Sequence, residues 1–364
     1  MMTDEQAKLW RTRLNDLELV RQAAIESPLV ELPETVTGNN KIFLKLESSQ
    51  AIKSFKIRGA TYAMASSQAE LKKRGVVADS GGNHAQAVAL AGRELGVPVT
   101  IVMAAAVPDN KVEATRSFGA TDGSFALDTT PPTFVDAKKK AKRLAGWDEA
   151  ENLPVDPENY PKYLSPYDDP DILRGTATIV PEVMTQLEQR EINQINSFHV
   201  PIGGGGLIGG IADVNAEQDH LFSLIGHSMD GADSAARSLH SDAPATISDP
   251  NILAEGLAVA TIGSQGHQRM LEGKIDDIYT SSVKEVGQAY VWYIDHVLPV
   301  LGVDTGDSEA VWNNLPELSS MVAVSGMFKY LEKSGIENQT HVVLISGGNI
   351  NRQRSQVAID AAND

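Results

Sequence analysis

Ser54-Phe55-Lys56-Ile57-Arg58-Gly59-Ala60 follows an alternating apolar run (Ile42, Leu44, Leu46) and opens a predicted helix. A lysine between a phenylalanine and an isoleucine is unusual. In an apolar setting desolvation disfavours the ammonium and frees the amine as a nucleophile or imine former. Read alone, Lys56 also fits a surface lysine at the start of a helix. Three glycine-rich turns accompany it: Ser80-Gly81-Gly82-Asn83-His84, Gly203-Gly204-Gly205-Gly206 and Ser346-Gly347-Gly348-Asn349. The first two read as strand exits.

Together these four motifs resemble the pyridoxal-phosphate enzymes of the threonine dehydratase and serine racemase family, the β-family or fold type II. The resemblance runs from about Leu29 to Asn351, with the motifs in the family's order and at roughly its spacing. It implies an α/β fold of two domains, each with a largely parallel twisted sheet flanked by helices. The small domain is expected over 76–167, inserted in a discontinuous large domain formed by 1–75 and 168–364.

Composition agrees with a two-domain globular chain. Its 364 residues exceed what one small core accommodates, and 42% hydrophobic with 22% charged residues is ordinary for a soluble protein. Asp plus Glu number 48 against 31 Lys plus Arg, a net charge of −17, which argues against nucleic acid or an anionic membrane surface as partner. The acidity suits solubility and is compatible with a saline habitat. The absence of cysteine excludes disulfides, thiolate metal sites and a cysteine nucleophile. Met1 to Arg21 lacks the apolar core of a signal peptide, and no apolar run is long enough to span a bilayer, so a cytoplasmic enzyme is expected.

Along the chain, Thr3–Ser27 carries apolar residues at helical spacing (Leu9, Leu14, Leu17, Val20), broken by Pro28 and Pro33. Strands are expected at Lys41–Glu47, Gly75–Ala78, Val99–Met103, Phe198–Ile202, Leu221–Gly226 and Val342–Ile345. Helices are expected from Lys56 to about Arg74, at Asn83–Leu95 ended by Gly96, and at Pro108–Phe118, Thr133–Leu144, Leu207–Val214 and Val283–Val297. Between Gly123 and Tyr167 the pattern weakens. The proline- and acid-rich stretch 148–167 reads as a solvated loop or a substrate lid. Residues 298–314 read as an insertion.

The tetraglycine loop lies between a strand and a helix. Residues without Cβ let backbone N–H groups crowd round a phosphate, and the helix N-terminus adds favourable dipole charge. The loop lacks the lysine of a GxxxxGK[ST] nucleotide loop. Coupled to Lys56, it points to a cofactor with one phosphate and one aldehyde, which describes pyridoxal phosphate.

The resemblance assigns residues to that cofactor. It implies that Lys56, and not Lys53, carries it covalently, with Phe55 alongside. Asn83 bonds its 3′-oxygen, Gly203, Gly204, Gly205, Gly206 and Leu207 take the phosphate, and Ser346 faces the pyridine nitrogen. Ser346 also fits an ordinary turn serine. A hydroxyl there, in place of a carboxylate, leaves that nitrogen largely unprotonated and favours elimination over transamination. Glu317 matches the glutamate of the family's Glu-Pro segment, although the proline is replaced by Leu318. Ser80, Gly81, Gly82, Asn83 and His84 are expected to hold the substrate carboxylate, with His84 either structural or a proton carrier.

Racemases of this family carry a serine at the position of Gly81. Racemisation needs an acid on one face and a base on the other, so a side-chain-free residue there argues for a lyase. Two other positions depart from the family. Gly175-Thr176-Ala177-Thr178 replaces its glycine-glutamine-glycine-threonine stretch, and His227 with Asp233 stands where relatives bind a divalent cation with carboxylates. An imidazole there lowers affinity for Mg²⁺ or Ca²⁺, so a cation is doubtful.

The expected activity is α,β-elimination from a β-hydroxy amino acid (L-threonine, L-serine, or a bulkier or acidic one) to a 2-keto acid and ammonia. A racemase of the same fold, a β-replacement synthase and a non-catalytic amino-acid-binding relative are the alternatives. A homodimer is implied by the resemblance alone. No appended effector module is expected after residue 351.

Overall fold

The structure, a computed structural model, describes residues 3–148 and 153–362. Part of the proline- and acid-rich stretch, 149–152, lies outside the described residues, as do the chain ends of the expected large domain. Twelve strands are described: β1 Leu29–Glu31, β2 Lys41–Leu46, β3 Val76–Asp79, β4 Val99–Val102, β5 Phe125–Asp128, β6 Trp147–Asp148, β7 Leu153–Pro154, β8 Lys162–Tyr163, β9 Ser197–Pro201, β10 Ser223–Met229, β11 Asp277–Ser281 and β12 Thr340–Ile345.

By compactness the chain divides into two units, one comprising 1–10, 27–49 and 179–364 and the other 11–26 and 50–178. The first holds a six-stranded sheet in the order β1-β2-β12-β9-β10-β11. Every pairing in it is parallel except β1 with β2. The inner strands are buried on both faces, as parallel strands covered by helices must be, and so consist of near-continuous apolar runs such as Val342-Val343-Leu344-Ile345. The long helix Leu318–Ser334 packs on this sheet, with Met321, Val322, Val324 and Met327 in the same apolar cluster as Val343 and Ile345.

The second unit holds a four-stranded sheet, β5-β4-β3-β8, with all pairings parallel. Its core gathers the helices Lys56–Ala65 and Asn83–Leu95 with β3 and β4 through Ile57, Ala60, Val88, Ala91, Val76 and Ile101. The helix expected from Lys56 to Arg74 is in fact two, Lys56–Ala65 and Gln68–Arg74. The break falls at Ser66-Ser67, residues that favour caps over helix interiors. Asn83–Leu95 ends as expected, with Gly96 left-handed at φ 63°. The α/β architecture with parallel sheets is that expected from the sequence.

The first helix, Asp4–Val20, stops short of Ser27, and the remaining chain to β1 is irregular. The stretch 298–314, read from sequence as an insertion, carries a short helix, Ser308–Asn314, capped by the Asp307 side chain, and Glu309 there pairs with Arg352.

Candidate active site

The Ser80–His84 turn is built on the second unit. β3 ends at Asp79, whose carboxylate accepts from the Tyr163 hydroxyl of β8 at 2.5 Å. Burial pushes the Asp79 carboxyl up and the Tyr163 phenol up, so this bond ties the strand end that launches the Ser80 turn. Within the turn, Ser80 Oγ accepts from the Gly82 N–H at 3.2 Å. That bond fixes the loop and commits one of the backbone donors expected for a carboxylate; the Ser80 hydroxyl proton stays available to donate. Asn83 opens the helix Asn83–Leu95, so the turn sits at the positive end of a 13-residue helix.

His84 is buried in the first turn of that helix, and its Nε2 bonds the Leu164 carbonyl at 3.1 Å. Burial, and secondarily the Lys56 charge, hold its pKa down at about 3. The imidazole is therefore neutral with Nε2–H donating, which is the structural role open to it from sequence.

Lys56 begins the helix Lys56–Ala65 and is half-buried. Its ammonium donates to the Pro166 carbonyl at 2.6 Å and lies 5.1 Å from the centre of the Phe55 ring. The helix is clamped from behind. A Cβ on Gly175 would lie 2.5 Å from the Arg58 carbonyl oxygen and 2.7 Å from Gly59 Cα, and Thr178 Oγ1 contacts Arg58 Nη1 at 3.4 Å. Gly175 and Thr178, from the stretch that departs from the family, thus pack against the lysine helix and hold it in place.

The glycine loop is built on the first unit. β9 leads into the glycine loop, and Gly205 caps the helix Gly206–Glu217 at φ 86°, a conformation that disfavours side chains. Two neighbouring backbones crowd the loop: a Cβ on Gly203 would lie 2.6 Å from the Gly256 carbonyl oxygen, and one on Gly205 would lie 2.9 Å from Gly266 Cα. A glycine cradle at the N-terminus of a 12-residue helix fits a phosphate. Leu207 is buried just behind it.

Gly256 links this loop to the remaining expected ligands, since a Cβ on it would lie 3.0 Å from Ser319 Oγ. Ser319 Oγ donates to Glu317 Oε1 at 2.7 Å, and the Glu317 N–H donates to the Gly347 carbonyl at 3.0 Å. Ser346 is buried beside them, with its Oγ 3.1 Å from Ser320 Oγ. The first unit therefore brings Gly203, Glu317 and Ser346 into one neighbourhood. Sequence reasoning did not single out Gly256, which lies in a stretch without periodicity. Ser320 lay inside the segment read for Glu317 but was given no role.

His227 and Asp233 do not converge. His227 is buried on β10, its Nε2 2.9 Å from His199 Nδ1, and a Cβ on Gly326 would lie 1.9 Å from its Nδ1. Asp233 pairs with Arg237 at 3.0 Å. Among the described residues no group of three or more His, Asp or Glu side chains is placed to hold a metal ion.

Comparisons with known proteins place the chain in a family. Residues 20–348 match the family described as pyridoxal-phosphate dependent enzyme. A biosynthetic chloroplastic threonine dehydratase of Solanum lycopersicum is 32% identical over 339 residues, covering 91% of this chain and 50% of its own. A biosynthetic L-threonine dehydratase of Pasteurella multocida is 33% identical, covering 86% of this chain and 54% of its own. The chain thus spans about half the length of these relatives. Among solved structures, the processed form of threonine deaminase isoform 2 from Solanum lycopersicum superposes with TM-score 0.79 at 30% identity, covering 98% of this chain and 89% of that one. Serine racemase from Dictyostelium discoideum, at 22% identity and TM-score 0.75 over 94% of this chain and 98% of that one, shares the fold. With a lysine at a helix start, a glycine cradle fitted to phosphate and a family match over most of its length, the chain belongs to the pyridoxal-phosphate-dependent enzymes of fold type II, and pyridoxal phosphate is its cofactor.

Proposed function

We propose that the protein is an ammonia-lyase acting on a β-hydroxy amino acid, with L-threonine and L-serine as the first substrates to test. The observation that carries the reading is the pairing of one amine, Lys56, with a carboxylate turn whose residue 81 has no side chain. Pyridoxal phosphate, when bound, withdraws electron density from the substrate Cα and makes its proton acidic. In its neutral form Lys56 Nζ takes that proton, positioned by the Pro166 carbonyl and flanked by the Phe55 ring. The Ser80–Asn83 turn orients the substrate carboxylate at a helix N-terminus. His84, neutral and pinned to Leu164 through its Nε2–H, supports the turn and takes no part in proton transfer. The β-hydroxyl and the Cα proton leave as water, hydrolysis returns one water, and the products are a 2-keto acid and ammonia.

The same proposal assigns the phosphate to Gly203–Leu207, with Asn83, Glu317 and Ser346 at the ring. It divides function at 76 and 167, supported by sheet membership: all four strands of the four-stranded sheet, and the separate β6-β7 pair, lie between Val76 and Tyr163, and the six-stranded sheet draws none from there. A homodimer in a cytoplasmic setting belongs to the proposal on family resemblance. No helix among the described residues is long and apolar enough to cross a membrane.

The test is a panel of β-substituted amino acids with cofactor-loaded protein, scored for keto acid, ammonia and the chirality of recovered substrate. Keto acid with equimolar ammonia supports elimination. Recovered D-enantiomer without keto acid would make it a racemase.

A further inference from the structure

Val107 lies outside every motif read from the sequence, and it stands directly against Gly81. A Cβ built on Gly81 would lie 2.4 Å from Val107 Cγ2 and 3.2 Å from Cγ1, distances that require one partner to move. The valine is poorly placed to give way. It is 6% exposed and belongs to the apolar cluster of Met103, Ala104 and Ala85. Its N–H donates to the Ala104 carbonyl at 3.0 Å, and the next residue, Pro108, caps the helix Asp109–Phe118. A β-branched side chain is stiff at χ1, so the isopropyl group has no free rotamer to retreat into.

We propose that Val107 is a specificity-determining residue: its isopropyl group keeps position 81 empty of any side chain, so that the carboxylate turn carries no proton donor there and the reaction is directed to elimination instead of racemisation. The inference rests on the lyase reading above. Position 81 belongs to the Ser80–His84 turn that the lyase reading assigns to the substrate, and the racemases this chain resembles carry a serine at that position, so a hydroxyl there supplies the second acid that racemisation needs. Racemisation would then move the Cα proton to Lys56 and return a proton to Cα from the residue 81 hydroxyl, with no bond broken at Cβ. Val107 denies that hydroxyl its space. Truncation to alanine removes both γ carbons and leaves the Val107 Cβ 3.4 Å from a Cβ at 81, an ordinary van der Waals contact.

The test is a double-mutant cycle on the cofactor-loaded enzyme with Gly81→Ser, Val107→Ala and the pair, read by thermal midpoint and by D-serine formation from L-serine in D₂O. Gly81→Ser alone is expected to lower the midpoint, and adding Val107→Ala is expected to raise it again. D-serine carrying deuterium at Cα is expected to form in the double variant at least about tenfold faster than in either single one. Additive losses in midpoint would overturn the steric coupling. A single Gly81→Ser that racemises as well as the pair, or a pair that regains its midpoint without D-serine, would overturn the specificity role. The midpoint cycle reads the coupling whatever the reaction is, whereas failure of the parent enzyme to release keto acid counts against the lyase reading alone.

Discussion

Ser320 Oγ lies 3.1 Å from Ser346 Oγ and also bonds both backbone groups of Gly347, accepting from its N–H and donating to its carbonyl at 2.9 Å each. One buried hydroxyl thus sets the geometry of the last glycine turn and of the serine assigned to the cofactor ring. Ser320→Ala leaves the Gly347 N–H without its acceptor in a buried site, while the carbonyl keeps the Glu317 N–H, a loss on the order of 1–3 kcal/mol. Urea unfolding of the cofactor-free protein measures it, and a midpoint equal to the parent's would show that Ser320 is dispensable.

The Ser346 assignment has its own consequence. A carboxylate stabilises a neighbouring cation, so Ser346→Asp should shift the cofactor's pyridine nitrogen toward its protonated form. The ¹⁵N chemical shift of labelled cofactor reads this directly, alongside a larger share of turnovers ending in transamination. An unchanged shift would place Ser346 away from that nitrogen.

Beneath β2 a charged pair is fully buried. Lys45 Nζ donates to Glu182 Oε1 at 2.6 Å, to Gln186 Oε1 at 2.9 Å and to the Ser27 carbonyl at 2.7 Å. Removing one charge strands the other away from water. Lys45→Met should destabilise by about 3–5 kcal/mol, and Lys45→Met with Glu182→Leu by less, because Glu182 is then not stranded and Glu47, buried beside them, keeps its bond from Ser27 Oγ. Denaturant titration of both variants decides it; equal losses would contradict the account.

Four histidines make stability depend on pH. Burial holds His227 at about 3 and His341 at about 4, burial and the Lys56 charge hold His84 at about 3, and burial with its imidazole neighbours holds His199 well below its ordinary value. Each is depressed in the folded state, so the unfolded chain binds more protons once the pH falls below about 6.5. The stability is fully present above that pH and is lost as pH falls toward the folded values, each group contributing a slope of up to about 1.4 kcal/mol per pH unit. Unfolding midpoints measured from pH 7 to pH 4.5 should fall, and His227→Asn should flatten the decline.

Chelation is expected to leave elimination unchanged. His227 is enclosed by His199 and the Gly326 backbone, and Asp233 is engaged by Arg237. Activity lost to EDTA and restored by Mg²⁺ would require a cation site elsewhere.

What the sequence made legible follows a physical line. The six strands read from it, β2, β3, β4, β9, β10 and β12, are the inner members of the two sheets, apolar because both faces are covered. The unread strands of those sheets, β1, β5, β8 and β11, are their four edges. Short and half-exposed, they leave no run to detect: β5 is Phe-Ala-Leu-Asp with no fully buried residue, and β8 is two residues long. The site motifs were legible because each is local, a lysine or a glycine turn at a strand exit. Val107, Gly256 and Ser320 were not, since each matters through a residue distant in sequence: Gly81, Gly203 and Ser346. Gly175 was read only as part of a departure from the family's stretch, and its packing against the lysine helix was not legible because its partner Arg58 is more than a hundred positions away.

The central claim is the covalent attachment of the cofactor at Lys56, and borohydride reduction of the loaded protein followed by peptide mass mapping tests it most directly. The account predicts a pyridoxyl-phosphate adduct on the peptide containing Lys56, absent from Lys56→Ala together with the visible absorption band and all keto-acid formation. An adduct on another lysine, or a Lys56→Ala variant that keeps its band and its turnover, would contradict it.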